Sequence, residues 1–212
     1  SIRHAITKMA QVHFVTNDEA GRRLRLMGED PQRVHVVGSP GLDHLRRRTL
    51  LDRPALEATL NAPLLERNLL VTFHPVTLAG DDGRAQFEAL LAALDASGRH
   101  TALWFTRPNA DTGNRALAAR LDEWAAARPD RARVYTSLGQ QRYLSLMAQV
   151  NAVVGNSSSG LYEAPSLGVA TVNVGDRQQG RMAASSVLHC PPERVAIEQA
   201  IERAVRLDCR GV

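Results

Sequence analysis

Apolar runs of strand length alternate with segments of helical period along this chain. The runs are Val12–Thr16, Val34–Val37, Leu69–Phe73, Ala102–Thr106, Ala132–Thr136, Ala152–Val154 and Ala170–Val174. Apolar stripes at helical spacing are Phe87, Leu90, Leu91, Leu94 and, near the end, Ile197, Ala200, Ile201, Ala204, Val205. Nearly continuous apolar strands between amphipathic helices predict an α/β fold with a parallel, doubly wound, Rossmann-like sheet.

A turn-rich segment, Gly38–Gly41 (GSPG), precedes a charged stretch that ends at Pro54 and predicts a domain boundary. Before it lie two helical segments and two strands, which are too few for a two-sided parallel sheet. We therefore expect residues 1–40 to be the C-terminal remnant of an N-terminal Rossmann-like domain, including the hinge. Residues 41–212 are expected to form one C-terminal doubly wound domain.

The composition argues against several classes of partner. The 26 basic residues are interleaved with 22 acidic ones, and aromatic residues make up only 4% of the chain, so stacking platforms for bases are scarce. The basic run Arg46–Arg48 reads as a solvated face. No apolar run approaches membrane-spanning length, and the first residues lack a signal-peptide core. We expect a cytoplasmic protein with no nucleic-acid or membrane partner.

The cysteines and histidines give no pattern for a metal or a cofactor. Cys190 and Cys209 form no CxxC pair, and none of the seven histidines stands in an HxxxH motif. GxGxxG and GxxxxGK[ST] are also absent from the sequence. We therefore expect neither a metal ion nor a cofactor.

A serine-rich turn, GNSSSGLYEAPSLG (Gly155–Gly168), joins an apolar strand to a helix. Free N–H groups and the positive dipole end of the helix would face a phosphate near Ser157 and Ser158. Glu163, about one and a half turns into the helix, would reach a sugar hydroxyl of the same ligand. Simple helix capping by Ser157 or Ser158 is the alternative and stays open.

Polar residues follow four of the predicted strands, and parallel topology would bring them to one sheet edge. The segments are Phe73–Thr77 with His74, Thr106–Asp111 with Asn109, Gly155–Gly160, and Gly175–Arg181 with Arg177 and Arg181. Together they offer the imidazole, amide, hydroxyl and guanidinium groups that suit a nucleotide diphosphate. Taken singly, each has a plainer interpretation as a turn residue or a solvated side chain.

These segments resemble the hydrolysing UDP-N-acetylglucosamine 2-epimerases of sialic acid and nonulosonic acid biosynthesis. The resemblance is carried by IRHAITKMA (Ile2–Ala10), FHPVT (Phe73–Thr77), RPNADTG (Arg107–Gly113) and GNSSSGLYEAPSLGVATVNVGDRQQGR (Gly155–Arg181). It runs along nearly the whole chain. It implies the C-terminal half of a two-domain glycosyltransferase-B-type fold, with UDP held mainly by residues 41–212.

The resemblance implies a role for each matching position. His74 would contact the diphosphate, and Asn109 would lie beside the nucleotide. Ser157 and Ser158 would bind phosphate, and Glu163 would hold the ribose hydroxyls.

Other matching positions would contact the substrate from neighbouring segments. The loop Ser137–Gln140 departs from the family pattern, so a uracil contact near Leu138 is not carried over. The remaining positions are Arg177 and Arg181, in the loop after β-strand residues TVNV, and Arg3, His4 and Lys8, which would face the cleft from the N-terminal side.

The resemblance also implies the reaction. The C2 proton of the sugar is removed and UDP leaves to give a 2-acetamidoglucal, to which water adds to give free N-acetylmannosamine. The acid and base carboxylates are expected upstream of Ser1. The expected partner is a UDP-sugar; a homo-oligomer, and docking onto the N-terminal domain of the same protein, stay open.

Three alternatives remain open at this point. The substrate could be UDP-2,4-diacetamido-2,4,6-trideoxyglucose. The protein could be a glycosyltransferase of the same fold type, or this chain could be a UDP-binding module without catalysis.

Overall fold

The computed structural model describes residues 2–75, 83–107 and 114–209. They fall into two compact units, Ser1–Arg48 and Thr49–Val212. In the first unit, the parallel strands β1 (His13–Val15) and β2 (Val34–Val36) are accompanied by α1 (Ile2–Met9), α2 (Asp18–Leu26) and α3 (Pro40–Arg47). The turn-rich segment Gly38–Gly41 leads into α3. The division into domains at residue 40 therefore stays a prediction.

The second unit is a parallel sheet with helices on both faces, as predicted. In chain order its elements are α4 (Arg53–Leu60), β3 (Arg67–Thr72), α5 (Arg84–Ala96), β4 (Thr101–Thr106), α6 (Asn114–Ala126), β5 (Ala132–Tyr135), α7 (Gly139–Met147), β6 (Ala152–Gly155), α8 (Ser159–Ser166), β7 (Ala170–Val174), β8 (Val187–Cys190) and α9 (Arg194–Ala204). The strand order is β5-β4-β3-β6-β7-β8, and every pairing is parallel.

Alternate residues of β3 show how the sheet is buried on both faces. Leu69 and Val71 pack with α5, α6 and α9, whereas Leu70 packs with α4 and α7 on the opposite face. Period-two alternation sends consecutive strand side chains to opposite faces, so a strand covered on both sides reads as one continuous apolar run. β8 lies at the sheet edge and is only partly buried, which explains why hydrophobicity alone does not predict it.

The strand order reverses direction between β3 and β6. The chain first adds β4 and β5 on one side of β3, and then returns to add β6, β7 and β8 on the other side. In open parallel sheets such a reversal opens a crevice at the carboxyl ends of the two central strands. Four adjacent strands, β4, β3, β6 and β7, thus end at one edge, where the four polar loops were predicted to meet.

Candidate functional site

Two glycines shape the turn between β6 and α8. Gly155 has φ +135°, and a Cβ atom there would overlap the backbone carbonyl of Thr72 on the neighbouring strand. A Cβ atom on Gly160 would lie 2.7 Å from Cγ2 of Thr171, whose hydroxyl donates to the Gly160 carbonyl at 2.7 Å. Because both approaches exclude a side chain, the first glycine sets the turn and the second packs α8 closely on β7.

The three serines leave hydrogen-bond donors available at the start of α8. Ser158 precedes the helix and makes no side-chain capping bond. Ser157 Oγ accepts from Ser159 Oγ at 3.1 Å and makes a long contact with Ser159 N at 3.4 Å. Within the described ranges, the backbone N–H groups of Ser157 and Ser158 have no acceptor. The geometry favours the anion-binding interpretation over simple capping by Ser158.

Asn156 fixes the loop after β3 to the loop after β6. Its Oδ1 accepts from the backbone N–H of His74 at 2.7 Å, and its Nδ2 donates to the His74 carbonyl at 2.8 Å. The side chain is 1% exposed. A buried amide that uses both its donor and its acceptor on one residue holds that residue in a single position. Asn156 thereby places His74 beside the serine turn, across the point where the strand order reverses.

The loop after β7 attaches to the same asparagine through its carbonyl. Asn156 O accepts from Arg177 Nη1 at 2.9 Å and from the buried Gln178 Nε2 at 2.6 Å. Desolvation, and then the neighbouring positive charge of Arg181, lower the pKa of Arg177. The two positive charges repel each other, and an anion bound near both would relieve the repulsion.

A cavity of about 360 Å³ lies between the ends of β3, β4, β5 and β6. The residues that line it include Thr72, His74, Thr106, Arg107, Thr136, Tyr143, Ser157, Ser159 and the loop Ser137–Gln140. The loop for which no contact was carried over therefore forms part of the wall. Arg107 is held by Asp122, which accepts from Nη2 at 2.7 and 2.8 Å, so this charge is already compensated inside the protein.

Glu163 lies on α8 and is half-buried, but it is not among the described residues that line the cavity. Burial raises the pKa of its carboxyl group, partly offset by a hydrogen bond with its own backbone. Arg181 is exposed. His74 and Ser157 are thus the two predicted residues that meet at the cavity wall, with Arg177 bound to the turn behind them.

Three other predicted residues lie on α1 of the first unit. Arg3 and His4 are exposed, and Lys8 forms an ion pair with Glu29 at 2.8 Å and donates to the Met27 carbonyl. The Lys8 hydrogen bond is the main cause of the lowered pKa of Glu29. Their contact with substrate stays a prediction. Asn109 lies outside the described residues.

Sequence reasoning missed Asn156 as a positioning residue and Tyr143 as part of the cavity wall. The position of Asn156 directly after a strand-ending glycine was the available signal for the first. Tyr143 carries no local signal, because α7 reaches the cavity through the sheet topology alone. The described ranges contain no group of three or more His, Cys, Asp or Glu side chains suited to a metal, and none of their helices could span a membrane.

Comparison with proteins of known sequence gives close relatives. A hydrolysing GDP/UDP-N,N'-diacetylbacillosamine 2-epimerase from Campylobacter jejuni is 34% identical over 96% of this chain and 52% of its own length. The polysialic acid biosynthesis protein P7 from Escherichia coli is 36% identical over 94% of this chain and 50% of its own. The chain therefore spans about half the length of these relatives.

Solved structures share the fold. The UDP-GlcNAc 2-epimerase of Methanocaldococcus jannaschii, determined with UDP-GlcNAc and UDP, superposes with a TM-score of 0.70 at 13% identity over 95% of this chain and 56% of its own. The glycosyltransferase WaaG superposes at 0.55 and 12% identity over 92% of this chain and 53% of its own. The fold is thus that of one half of a glycosyltransferase-B-type protein.

The family model described as UDP-N-acetylglucosamine 2-epimerase matches residues 1–210. That match covers the serine turn, the His74 loop and the Arg177 loop together. The chain belongs to the UDP-N-acetylglucosamine 2-epimerase family.

Proposed function

We propose that the complete protein is a hydrolysing UDP-sugar 2-epimerase and that residues 49–212 bind its UDP moiety. The observation that carries the proposal is that His74 and Ser157 line one cavity at the point where the strand order reverses, next to two backbone N–H groups that have no acceptor in the described ranges. Hydroxyl and N–H donors at a helix start suit the oxygens of a diphosphate. Ser158, Glu163, Arg177, Arg181 and Asn109 belong to the same proposed contact surface.

The proposed chemistry assigns this half of the protein to the leaving group. In the elimination, the C2–H and C1–O bonds break, a C1–C2 double bond forms, and negative charge grows on UDP. Donors already fixed around Ser157 stabilise that charge without rearranging during the reaction. Addition of one water to the unsaturated sugar then gives the free 2-epimer. The proton-transferring carboxylates belong, in this proposal, to the remainder of the protein.

The substrate class follows from the relatives. The Campylobacter relative is named for a diacetylated amino sugar, and the Methanocaldococcus structure contains UDP-GlcNAc. We propose a UDP-activated 2-acetamido sugar as substrate, with N-acetylglucosamine and 2,4-diacetamido-2,4,6-trideoxyglucose as the two candidates. The products would feed sialic acid or another nonulosonic acid.

We also propose that the first unit belongs to a larger N-terminal Rossmann-like domain. Its helices α1 and α2 and its two-stranded parallel sheet leave large apolar side chains exposed, namely Ile2, Ile6, Met9, Phe14, Leu26, Val36 and Val37. An isolated two-stranded pair buries too little apolar surface to be stable by itself. Further strands and helices of the same protein would cover these side chains, and Arg3, His4 and Lys8 would belong to that half of the site.

The function is tested by incubating the full-length protein separately with UDP-GlcNAc and with the diacetamido UDP-sugar. UDP release is followed by a coupled assay, and the free sugar is identified by NMR. We expect UDP and a free 2-epimer in equal amounts from one of the two substrates. Intact UDP-sugar after long incubation with both would contradict the proposal. UDP release that begins only when an acceptor sugar is added would indicate a glycosyltransferase.

A second assay separates an enzyme from a binding module. The 212-residue chain is titrated with UDP by calorimetry and assayed for UDP release in parallel. UDP binding without turnover by this chain, together with turnover by the full-length protein, supports the division of labour proposed above. UDP binding without turnover by either would favour a non-catalytic module.

A further inference from the structure

Three hydroxyl groups form a hydrogen-bonded chain along the wall of the cavity. The phenol oxygen of Tyr143 lies 2.6 Å from Ser159 Oγ, which donates to Ser157 Oγ at 3.1 Å. A separate pair lines the same cavity, with Thr106 Oγ1 2.5 Å from Thr72 Oγ1. All five residues line the cavity. The chain of three hydroxyls runs from α7 to the serine turn after β6.

One hydroxyl hydrogen of this chain is not used by the bonds within it. Each hydroxyl has one hydrogen to donate, so two links between three hydroxyls use two hydrogens and leave one at an end of the chain. Since Ser159 donates to Ser157, the links from Tyr143 onward run toward the serine turn. Ser157 Oγ then serves as an acceptor inside the protein. Its own hydrogen has no acceptor in the described ranges and is available to a ligand in the cavity.

The phenol of Tyr143 is well suited to act as the donor at the start of this chain. Burial, and to a smaller extent the negative charge of Glu163, raise the pKa of the phenol, while its hydrogen bond with Ser159 acts in the opposite sense. The group therefore remains a neutral O–H donor across the physiological range. Hydrogen bonds in a row polarise one another, so a donor at Tyr143 strengthens the donation that Ser157 makes at the far end.

We propose that Tyr143 is a positioning residue for the diphosphate: through Ser159, its hydroxyl directs the Ser157 O–H toward a phosphate oxygen in the cavity. The inference rests on the proposed UDP binding and adds a residue that contacts no phosphate itself. Its effect requires Ser159 as the intermediate and Ser157 as the final donor. A role limited to packing would not depend on either serine.

The test is a double-mutant cycle on UDP affinity measured by calorimetry with the 212-residue chain. The variants are Tyr143→Phe, Ser157→Ala and the double variant, with Ser159→Ala as a second interruption of the chain. Tyr135→Phe is the matched control, because its phenol donates to the Leu60 carbonyl at 3.1 Å and is absent from the described cavity wall. Thermal unfolding of each variant is measured in the same buffer.

We expect Tyr143→Phe and Ser159→Ala each to weaken UDP binding about threefold to tenfold, the scale of one polarised hydrogen bond. Tyr135→Phe should change it less than about twofold. In the Ser157→Ala background, Tyr143→Phe should have no further effect. If Tyr143→Phe weakens UDP binding equally in wild type and in the Ser157→Ala background, the inference is wrong. Unchanged UDP affinity in a folded Tyr143→Phe variant would also overturn it. If wild type and Ser157→Ala bind UDP equally well, the proposed site itself is wrong; if wild type does not bind UDP, both proposals fall.

Discussion

Two cavities open at the same edge of the sheet, and the larger one has fewer groups suited to binding an anion. The cavity at the ends of β7 and β8 has a volume of about 490 Å³ and is lined by Gln86, Gly175, Asp176, His189, Cys190, Pro191 and Pro192. The cavity at β3 and β6 is smaller, at about 360 Å³, but seven of the described residues that line its wall carry a hydroxyl group, and the start of α8 also lies there. Binding of an anion needs fixed donors, and volume alone does not supply them.

The two regions also differ in the hydrogen bonds that a buried asparagine makes in each. The side-chain amide of Asn156 bonds the backbone of His74 through both its oxygen and its nitrogen, and this holds the two loops together. Asn173 donates to His189 Nδ1 at 3.1 Å, while its Oδ1 has no partner among the described residues. Rigid positioning therefore distinguishes the β3/β6 region from the β7/β8 region.

The largest effect is expected from the glycines at the two strand ends. Gly155→Ala should lower the free energy of unfolding by about 3–5 kcal/mol, because positive φ and overlap with the Thr72 carbonyl act together. Gly175 also has positive φ, at +75°, but its Cβ would make only an ordinary contact with Gln86. Gly175→Ala should therefore cost about 1 kcal/mol. Urea unfolding measures both, and equal losses would refute the role given to the Thr72 contact.

The two buried asparagines should differ in function as well as in stability. Asn156→Ala leaves the N–H and the carbonyl of His74 without their partner, which we expect to cost about 2–3 kcal/mol of unfolding free energy and about tenfold in UDP affinity. Asn173→Ala should leave UDP affinity within about twofold of wild type. Calorimetric titration of both variants, each shown to be folded, decides the point. Similar affinity losses would mean that both regions hold the ligand.

A smaller effect concerns the pH dependence of stability in the β6 region. Burial raises the folded-state pKa of Glu163 above its ordinary value, 4.5. At pH values between 4.5 and the raised pKa, the folded protein therefore binds more protons than the unfolded protein. The unfolding free energy due to this group therefore falls as pH rises from 4.5 through the raised pKa. Glu163→Gln should remove that fall, raise stability near pH 7 by less than about 1 kcal/mol, and weaken UDP binding.

Urea titrations between pH 4 and pH 8 measure this change. Glu66→Gln, at an exposed position before β3, is the control for loss of one negative charge. A Glu163→Gln variant whose stability follows wild type at every pH would show that the carboxyl group is not desolvated.

The smallest effect is expected at Cys190, on the wall of the larger cavity. Burial raises the pKa of its thiol to about 11, so almost no thiolate is present at pH 8. Iodoacetamide should modify it about 100-fold more slowly than an unstructured cysteine peptide. Cys190→Ser should leave UDP affinity within about twofold. Rapid alkylation would show that the thiol is not desolvated, and protection of Cys190 by UDP would place ligand in the β7/β8 region.

Much of the fold could be predicted because each buried strand has its own hydrophobic signal. Leu69–Phe73 and Ala170–Val174 lie within or close to β3 and β7 for this reason. The edge strand β8 was missed, since partial burial leaves no continuous apolar run there. Serine and glycine residues within a single turn likewise predict the proposed anion-binding region, because their chemistry and their spacing are both local.

The wall of the site could not be predicted in the same way. Tyr143 meets Ser159 only because the sheet topology brings this side chain of α7 to the start of α8, and residues 16 positions apart carry no mutual signal in one sequence. Asn156 was visible, but its attachment to His74, 82 positions away, depends on the neighbouring positions of β3 and β6. Local motifs identify ligand donors, whereas the residues that orient them follow from topology.

The most direct test of the account compares UDP with uridine on wild type and on Ser157→Ala by calorimetry. If the donors at the β3/β6 edge hold the diphosphate, wild type should bind UDP at least about tenfold more tightly than uridine. Ser157→Ala should weaken UDP binding and leave uridine binding unchanged, so the ratio of the two affinities should become smaller. An unchanged ratio in a folded Ser157→Ala variant would contradict the central claim that the serine turn binds the diphosphate.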